Sequence, residues 1–186
     1  MSGLGMSRRG LRDVVVVGGG VVGAACALAL AEQDLDVVLV EAASPASWSA
    51  AGRDLRVYAF APDNAALLSQ LGVWPSVVQA RAHPYRRMQV WDAAGGDALT
   101  FDADALARRE LGWIVEHGLL VDRLWQALQA SRVELRCPDK VVELERTPAR
   151  DTSERGAPLT GGDRVQLRLA DGGRLEARIA IAADGA

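Results

Sequence analysis

The sequence predicts an α/β fold built around a buried parallel sheet, and three features of the first 41 residues indicate it. A run of four valines at residues 14–17 is typical of a strand covered on both faces. Glycines follow this run, and the small apolar residues after them suit a helix packed closely on a sheet. A second apolar strand then ends in Glu41, at the distance expected for a strand–helix–strand unit.

The elements predicted before residue 72 follow from apolar runs and from the proline and glycine residues that bound them. Residues 62–71 are predicted as a helix, because Pro62 suits its first turn and Gly72 its end. Residues 42–53 show no hydrophobic period and are predicted as a loop. The elements before that loop are predicted as a strand at residues 13–17, a helix at 21–33 and a strand at 37–41.

The second half combines short strands with one clear helix. Leu120, Leu124 and Leu128 repeat at i, i+4 and i+8, which predicts a helix over residues 119–130. The turn Asp171-Gly172-Gly173 indicates a hairpin. Strands are predicted at residues 87–92, 98–101, 113–116, 133–136, 141–146, 165–169 and 174–182. The polar stretch 147–163 is predicted as a mobile loop.

Composition excludes several classes of function. The chain has 186 residues, of which 49% are hydrophobic and 24% charged, with 21 Lys+Arg against 24 Asp+Glu. This balance is that of a globular domain and lacks the basic excess of a nucleic-acid-binding protein. Cys26 and Cys137 match no metal-ligand spacing, so we expect no metal site and two reduced thiols.

The uncharged stretch 14–31, which follows several arginines, resembles a signal peptide or a short membrane span. Gly18, Gly20 and Gly23 argue against both, because they fall where a strand must turn sharply into a helix. We therefore interpret the stretch as a strand, a turn and a helix.

The main functional signal is the motif Gly18-x-Gly20-x-x-Gly23 followed by Glu41. In a dinucleotide-binding unit the first glycine permits the turn, the second lets the backbone approach a pyrophosphate, and the third allows close helix packing. A carboxylate at the end of the second strand can accept hydrogen bonds from both ribose hydroxyls and disfavours a 2′-phosphate. Alone, the motif does not separate FAD from NAD, so a simple NAD-dependent reductase domain remains an alternative.

Six segments follow one another along the chain: VVVVGGGVVGAACALAL, GRDLRVYA, LLSQLGVW, HPYRRMQVWD, LGWIVEHGLLVDRLWQAL and IAADGA. In this order and spacing they resemble the ubiquinone-biosynthesis flavin monooxygenases, within the para-hydroxybenzoate-hydroxylase-like group. The HPYRR stretch resembles the octaprenyl-methyl-methoxy-benzoquinol hydroxylase branch most closely.

The resemblance implies the residues of a site for FAD. Arg56, in the segment DLRVYA, matches an arginine that lies beside the flavin and its phosphates. His117 occupies a position where such enzymes have Asn, Gln or Arg in contact with the cofactor. Asp184 and Gly185 match an Asp-Gly motif that contacts FAD and is linked to pyridine-nucleotide use. The remaining cofactor-binding residues would be Gly18, Gly20, Val21, Val22, Gly23, Glu41 and Ala42.

The resemblance also implies an FAD-binding Rossmann-like fold of the glutathione-reductase type, in three layers with an inserted β-meander. Residues 1–186 would be one FAD-binding domain, the N-terminal part of a longer hydroxylase. Such an enzyme uses NAD(P)H and O₂, through a C4a-hydroperoxyflavin, to hydroxylate a prenylated phenol or benzoquinol. Its location would be cytoplasmic, with peripheral inner-membrane or ubiquinone-biosynthesis-complex association. A non-catalytic fragment that binds FAD or an adenine nucleotide remains the other alternative, and no catalytic residue is identified.

Overall fold

The computed structural model describes residues 10–147 and 164–185. The chain divides into two compact units. Among the described residues, the first unit comprises 10–44, 128–147 and 164–185, and the second is Pro45–Ala127. The expectation of one cofactor-binding domain over residues 1–186 stays a prediction.

Eleven strands, four α-helices and one short 3₁₀-helix make up the described part of the chain. In chain order they are β1 (Arg12–Val17), α1 (Val21–Glu32), β2 (Val37–Val40), β3 (Val57–Phe60), α2 (Pro62–Gln70), α3 (Trp74–Arg81), β4 (Ala82–Tyr85), β5 (Arg87–Val90), β6 (Leu99–Asp102), the 3₁₀-helix (Asp104–Leu106), β7 (Gly112–Glu116), α4 (His117–Ala130), β8 (Glu134–Arg136), β9 (Val141–Thr147), β10 (Arg164–Leu169) and β11 (Arg174–Ala182).

The first unit contains a six-stranded sheet in the order β8-β2-β1-β11-β10-β9. The four strands β8, β2, β1 and β11 are parallel, and β10 and β9 continue the sheet antiparallel. The crossover from β1 through α1 to β2 is the strand–helix–strand unit that the valine run predicts, so that prediction is confirmed. The antiparallel strands are a meander that extends the parallel sheet beyond β11.

The core of this sheet explains its sequence pattern. Val15, Val16 and Val38 are fully buried, as expected for parallel strands covered on both faces. Helix α1 packs against β1 and β2, and its small residues Ala24 and Ala27 are fully buried. Close packing of this kind requires short side chains on the contacting helix face.

The second unit contains a three-stranded antiparallel sheet, β3-β7-β4, and the separate hairpin β5-β6. Phe60 stacks on Trp74 with ring centroids 6.2 Å apart, and Trp74 meets the edge of Trp113 at 5.3 Å. These aromatic contacts join β3, α3 and β7. Helix α4 begins in this unit, and Leu120, Leu124 and Leu128 are buried as the periodicity predicts.

Every predicted strand and helix is present in the structure, with ends that differ by no more than two residues. Strands β3 and β4, helix α3 and the 3₁₀-helix were not predicted from the sequence. Strands β3 and β4 are four-residue edge strands, and β4 contains a proline, so neither has the alternation that identifies a strand. The mobile loop predicted for 147–163 lies outside the described residues, except that Thr147 ends β9.

The interpretation of residues 14–31 is confirmed, because β1 ends at Val17 and α1 contains only 12 residues. Within the described ranges, none of the helices has the length and apolar character needed to cross a membrane.

A buried arginine holds three strands of the first unit together at one end of the sheet. Arg12 on β1 is 6% exposed. Its Nη1 donates to Asp36 Oδ1 at 2.9 Å, just before β2, and its Nη2 contacts Glu134 on β8. The two carboxylates are partly exposed, so the arginine is the most buried charge of the three.

We expect Arg12→Met to lower the free energy of unfolding by about 2–3 kcal/mol, because it leaves two carboxylates close together without their cation. Urea denaturation of the full chain measures this change. Arg178→Met is the matched control, since Arg178 is largely exposed and lies 3.6 Å from Asp13. Equal effects of the two substitutions would contradict a structural role for Arg12.

Candidate cofactor site

The turn between β1 and α1 requires glycine at two positions. Gly18 has a φ of +104°, and a Cβ there would lie 2.4 Å from the carbonyl oxygen of Ala183. A Cβ on Gly23 would lie 2.0 Å from the carbonyl oxygen of Gly18. Both distances are far below any real contact, so these two glycines let the turn, α1 and the end of β11 approach one another.

Gly20 differs from the other two glycines of the motif. A Cβ there would meet no atom within 4 Å, and its φ of −67° suits any L-residue. Gly20 is the N-cap of α1, which has no side-chain cap and no acidic residue in its first turn. Val21 and Val22 follow in that turn, and Val22 is 74% exposed. The turn therefore leaves the positive end of the α1 dipole open to an anion.

Glu41, directly after β2, is held on both sides by hydrogen bonds. Its carboxylate accepts the Gly19 N–H at 2.6 Å and the Ala43 N–H at 2.9 Å. The backbone N–H of Glu41 donates to the carbonyl of Arg136, and the carbonyl of Glu41 accepts the N–H of Asp139, both at 2.9 Å. A carboxylate has about four acceptor positions, so Glu41 retains capacity for ribose hydroxyls.

A cleft of about 250 Å³ opens beside the glycine turn and Glu41. It is lined by Val17, Gly18, Val40, Glu41, Ala42, Asp139, Lys140, Val141 and Asp184. Gly18, Glu41, Ala42 and Asp184 were predicted as site residues. The segment from Asp139 to Val141 was not, because the sequence predicts only the start of a strand at residue 141 there.

The end of β11 brings the predicted Asp-Gly segment to the glycine turn. The Ala183 N–H donates to the carbonyl of Val17 at 2.7 Å, which continues the pairing of β11 with β1. Asp184 then lines the cleft, and Gly185 follows with a φ of +80°. Ligands of open α/β sheets bind beyond the carboxyl ends of the strands, where these residues lie.

Arg56 and His117 belong to the second unit, where the structure brings them together. The backbone N–H of His117 donates to the carbonyl of Arg56 at 2.8 Å. Tyr58 hydrogen-bonds to Nδ1 of His117 at 2.9 Å. The Arg56 side chain is 73% exposed and pairs with Asp54. Hydrogen bonds from the Arg56 side chain and backbone, and one from Gly118, lower the pKa of Asp54 to about 2.

A buried carboxylate stabilises the loop that leads to Arg56. Glu116 accepts hydrogen bonds from Trp48 Nε1 at 2.8 Å and from Arg81 Nη1 at 2.7 Å. Arg81 also donates to the carbonyls of Gly52 and Ala50, and its guanidinium lies 5.1 Å from the Trp48 ring centroid. Burial raises the pKa of Glu116, but the hydrogen bonds and the charge of Arg81 outweigh it and hold the pKa below its usual value.

Glu116 should therefore stabilise the fold above its unfolded pKa of about 4.5 and lose that contribution as the pH falls through the lower pKa of the folded state. We expect Glu116→Gln to lower the free energy of unfolding at pH 7 by about 1–3 kcal/mol. The difference from the unmodified chain should shrink below pH 4.5. Urea denaturation across pH measures both effects, with the exposed Glu32→Gln as control. A difference that persists unchanged in acid would contradict this role.

In the part of the chain that the structure describes, no group of His, Cys, Asp and Glu side chains is arranged to hold a metal ion.

Comparisons with known proteins agree with this geometry. Residues 13–72 match the family model described as FAD dependent oxidoreductase. The chain is 37% identical over 176 residues to 3-demethoxyubiquinol 3-hydroxylase of Escherichia coli, covering 94% of this chain and 41% of that protein. It is 34% identical over 181 residues to the mitochondrial ubiquinone biosynthesis monooxygenase COQ6 of Xenopus tropicalis, covering 93% and 37%.

Among solved structures, p-nitrophenol 4-monooxygenase PnpA from Pseudomonas putida DLL-E4 superposes with a TM-score of 0.67 at 24% identity. That superposition covers 95% of this chain and 41% of the other, and it confirms the predicted fold. The chain spans about two fifths of the length of the curated relatives it matches. Over nearly its whole length, therefore, the chain is similar to ubiquinone-biosynthesis hydroxylases, as the sequence motifs predict.

Proposed function

We propose that the chain binds FAD and is the FAD-binding part of an aromatic-ring hydroxylase of ubiquinone biosynthesis. The observation that carries the proposal is the cleft at the carboxyl ends of β1, β2 and β11. The N-terminus of α1, which has no side-chain cap, and the carboxylate of Glu41 lie at this same edge of the sheet. The match of residues 13–72 to the family model described as FAD dependent oxidoreductase supports the choice of a flavin over a nicotinamide dinucleotide.

The residues present fit the ADP portion of FAD. The start of α1 suits the pyrophosphate, because it offers backbone N–H groups and Gly20 carries no side chain to block their approach. Glu41 suits the adenosine ribose, and the turn at Asp139 and Lys140 forms another wall of the same cleft. Lys140 is the one lysine of the chain, and among the described residues that line this cleft it is the one cation.

FAD, when bound, supplies the redox and oxygen chemistry of a hydroxylase, with NAD(P)H as reductant. The contribution of this chain is to bind and orient the dinucleotide. Arg56 would contact its anionic portion, because a guanidinium can donate two parallel hydrogen bonds to phosphate oxygens. His117 would donate a further hydrogen bond, and Asp184 with Gly185 would contact the cofactor from the end of β11.

The names of the relatives support a prenylated phenol or benzoquinol as the substrate of the whole enzyme. A cytoplasmic location, with peripheral attachment to the inner membrane and to a ubiquinone-biosynthesis complex, belongs to the same proposal.

Two glycine substitutions separate binding from folding. We expect Gly20→Ala to leave the free energy of unfolding within about 1 kcal/mol of the unmodified chain, because its Cβ meets open space. The same methyl group should weaken FAD binding at least about 10-fold by holding the phosphate away from the α1 N–H groups. Gly23→Ala should instead cost about 3 kcal/mol of stability, because its Cβ would overlap the carbonyl of Gly18.

Calorimetric titration with FAD and urea denaturation measure the two quantities on each variant. If Gly20→Ala folds and binds FAD as tightly as the unmodified chain, the pyrophosphate does not lie at this turn and the proposal fails.

Glu41→Ala tests the ribose contact. We expect it to weaken FAD binding by about 1–3 kcal/mol, because the ribose hydroxyls lose their acceptor. Calorimetry measures the change, and Glu32→Ala, at the exposed end of α1, serves as the control. Unchanged affinity in the Glu41 variant would remove this residue from the site.

A further inference from the structure

Asp54 in the second unit holds the side chain of Arg56 in one orientation. Its Oδ1 accepts hydrogen bonds from the backbone N–H of Arg56 at 3.0 Å and from Nε at 3.2 Å. Its Oδ2 accepts one from Nη2 of Arg56 at 3.1 Å. The carboxylate thus binds the Nε–Nη2 edge of the guanidinium with both oxygens. The Nη1 edge is not used by Asp54.

The same carboxylate is anchored to a distant part of the chain. Oδ2 of Asp54 also accepts the backbone N–H of Gly118 at 3.0 Å. Gly118 lies in the first turn of α4, where helix geometry leaves N–H groups without intrahelical partners. The helix N-terminus therefore fixes Asp54, whose side chain is only 20% exposed, beneath an arginine that is 73% exposed.

We propose that Asp54 is a positioning residue that orients the Arg56 guanidinium on the first turn of α4 and leaves its Nη1 edge available to bound FAD. This inference rests on the proposed function, which places Arg56 in the cofactor site. An exposed arginine in solution samples many rotamers, and a ligand that binds it must restrict them. Asp54 imposes that restriction before the ligand arrives.

Two other roles of Asp54 give different expectations. A residue that only caps α4 would matter for stability and not for Arg56. A carboxylate that only adds negative charge beside an anionic ligand would weaken binding, so that its neutralisation would strengthen it.

Asp54→Asn distinguishes these roles. The amide oxygen can still accept the Gly118 N–H, and Asn caps helices as well as Asp, so α4 should be retained. The amide NH₂ cannot accept a hydrogen bond, so the guanidinium of Arg56 is no longer bound by two acceptor oxygens. We expect FAD binding to weaken about 3- to 10-fold, as when one long side chain must be immobilised by the ligand.

The matched control is Asp102→Asn. On the β5-β6 hairpin of the same unit, Oδ2 of Asp102 accepts hydrogen bonds from Nε of Arg87 at 3.1 Å and from Nη2 at 2.9 Å, so this carboxylate binds the same guanidinium edge through one oxygen. Calorimetry should show unchanged FAD affinity in this control. In an Arg56→Met background, Asp54→Asn should have no further effect on affinity, because the side chain that it positions is gone.

Unchanged or tighter FAD binding by Asp54→Asn would overturn the inference, as would an equal loss in the Arg56→Met background. If Arg56→Met itself leaves the affinity unchanged, Arg56 does not contact the ligand and Asp54 positions nothing for it.

A measurement without ligand keeps this inference separate from the proposed function. The Nε–H NMR signal of Arg56, assigned by its loss in Arg56→Lys, should show the slow motion of a held group, in contrast to that of the exposed Arg178. Asp54→Asn should make it as mobile as Arg178. If the unmodified chain binds no FAD, the proposed function fails, while a mobile Arg56 signal in the unmodified chain would overturn the positioning by Asp54.

Discussion

The close approach of three backbone segments determines the candidate site. Gly18, Gly23 and Ala183 pack so tightly that a methyl group on either glycine would overlap a carbonyl oxygen. This contact fixes the direction in which α1 leaves β1 and brings the end of β11 to the same place. The cleft exists because these backbones meet, and Glu41 and Asp184 line it because they follow the adjacent strands.

The second unit is organised around carboxylates that are held by arginines. Glu116 anchors the loop before β3 by accepting hydrogen bonds from Trp48 and Arg81. Asp54 links Arg56 to the first turn of α4. Both carboxylates have lowered pKa values, because hydrogen bonds and positive charge stabilise their ionised forms. At neutral pH the loop is therefore held by charge-assisted hydrogen bonds, which are stronger than those between neutral groups.

The sequence predicts the first unit well because its elements carry strong local signals. The valine run and the glycine motif require a buried strand and a tight turn at residues that can be named in advance. Strands β3 and β4 escaped prediction because they are short edge strands with exposed residues. Asp139 and Lys140 were missed as site residues because only the pairing of β8 with β2 brings their turn to Glu41. The role of Asp54 depends on the N–H of Gly118, which no pattern of side chains reveals.

The most direct test of FAD binding by this chain is the visible absorption spectrum of the purified chain after incubation with FAD and desalting. We expect a retained flavin band, lost in Gly20→Ala, because the cleft of the first unit contains the groups that hold the ADP portion. A folded chain, verified by circular dichroism, that retains no flavin would contradict the claim that this part of the protein binds FAD.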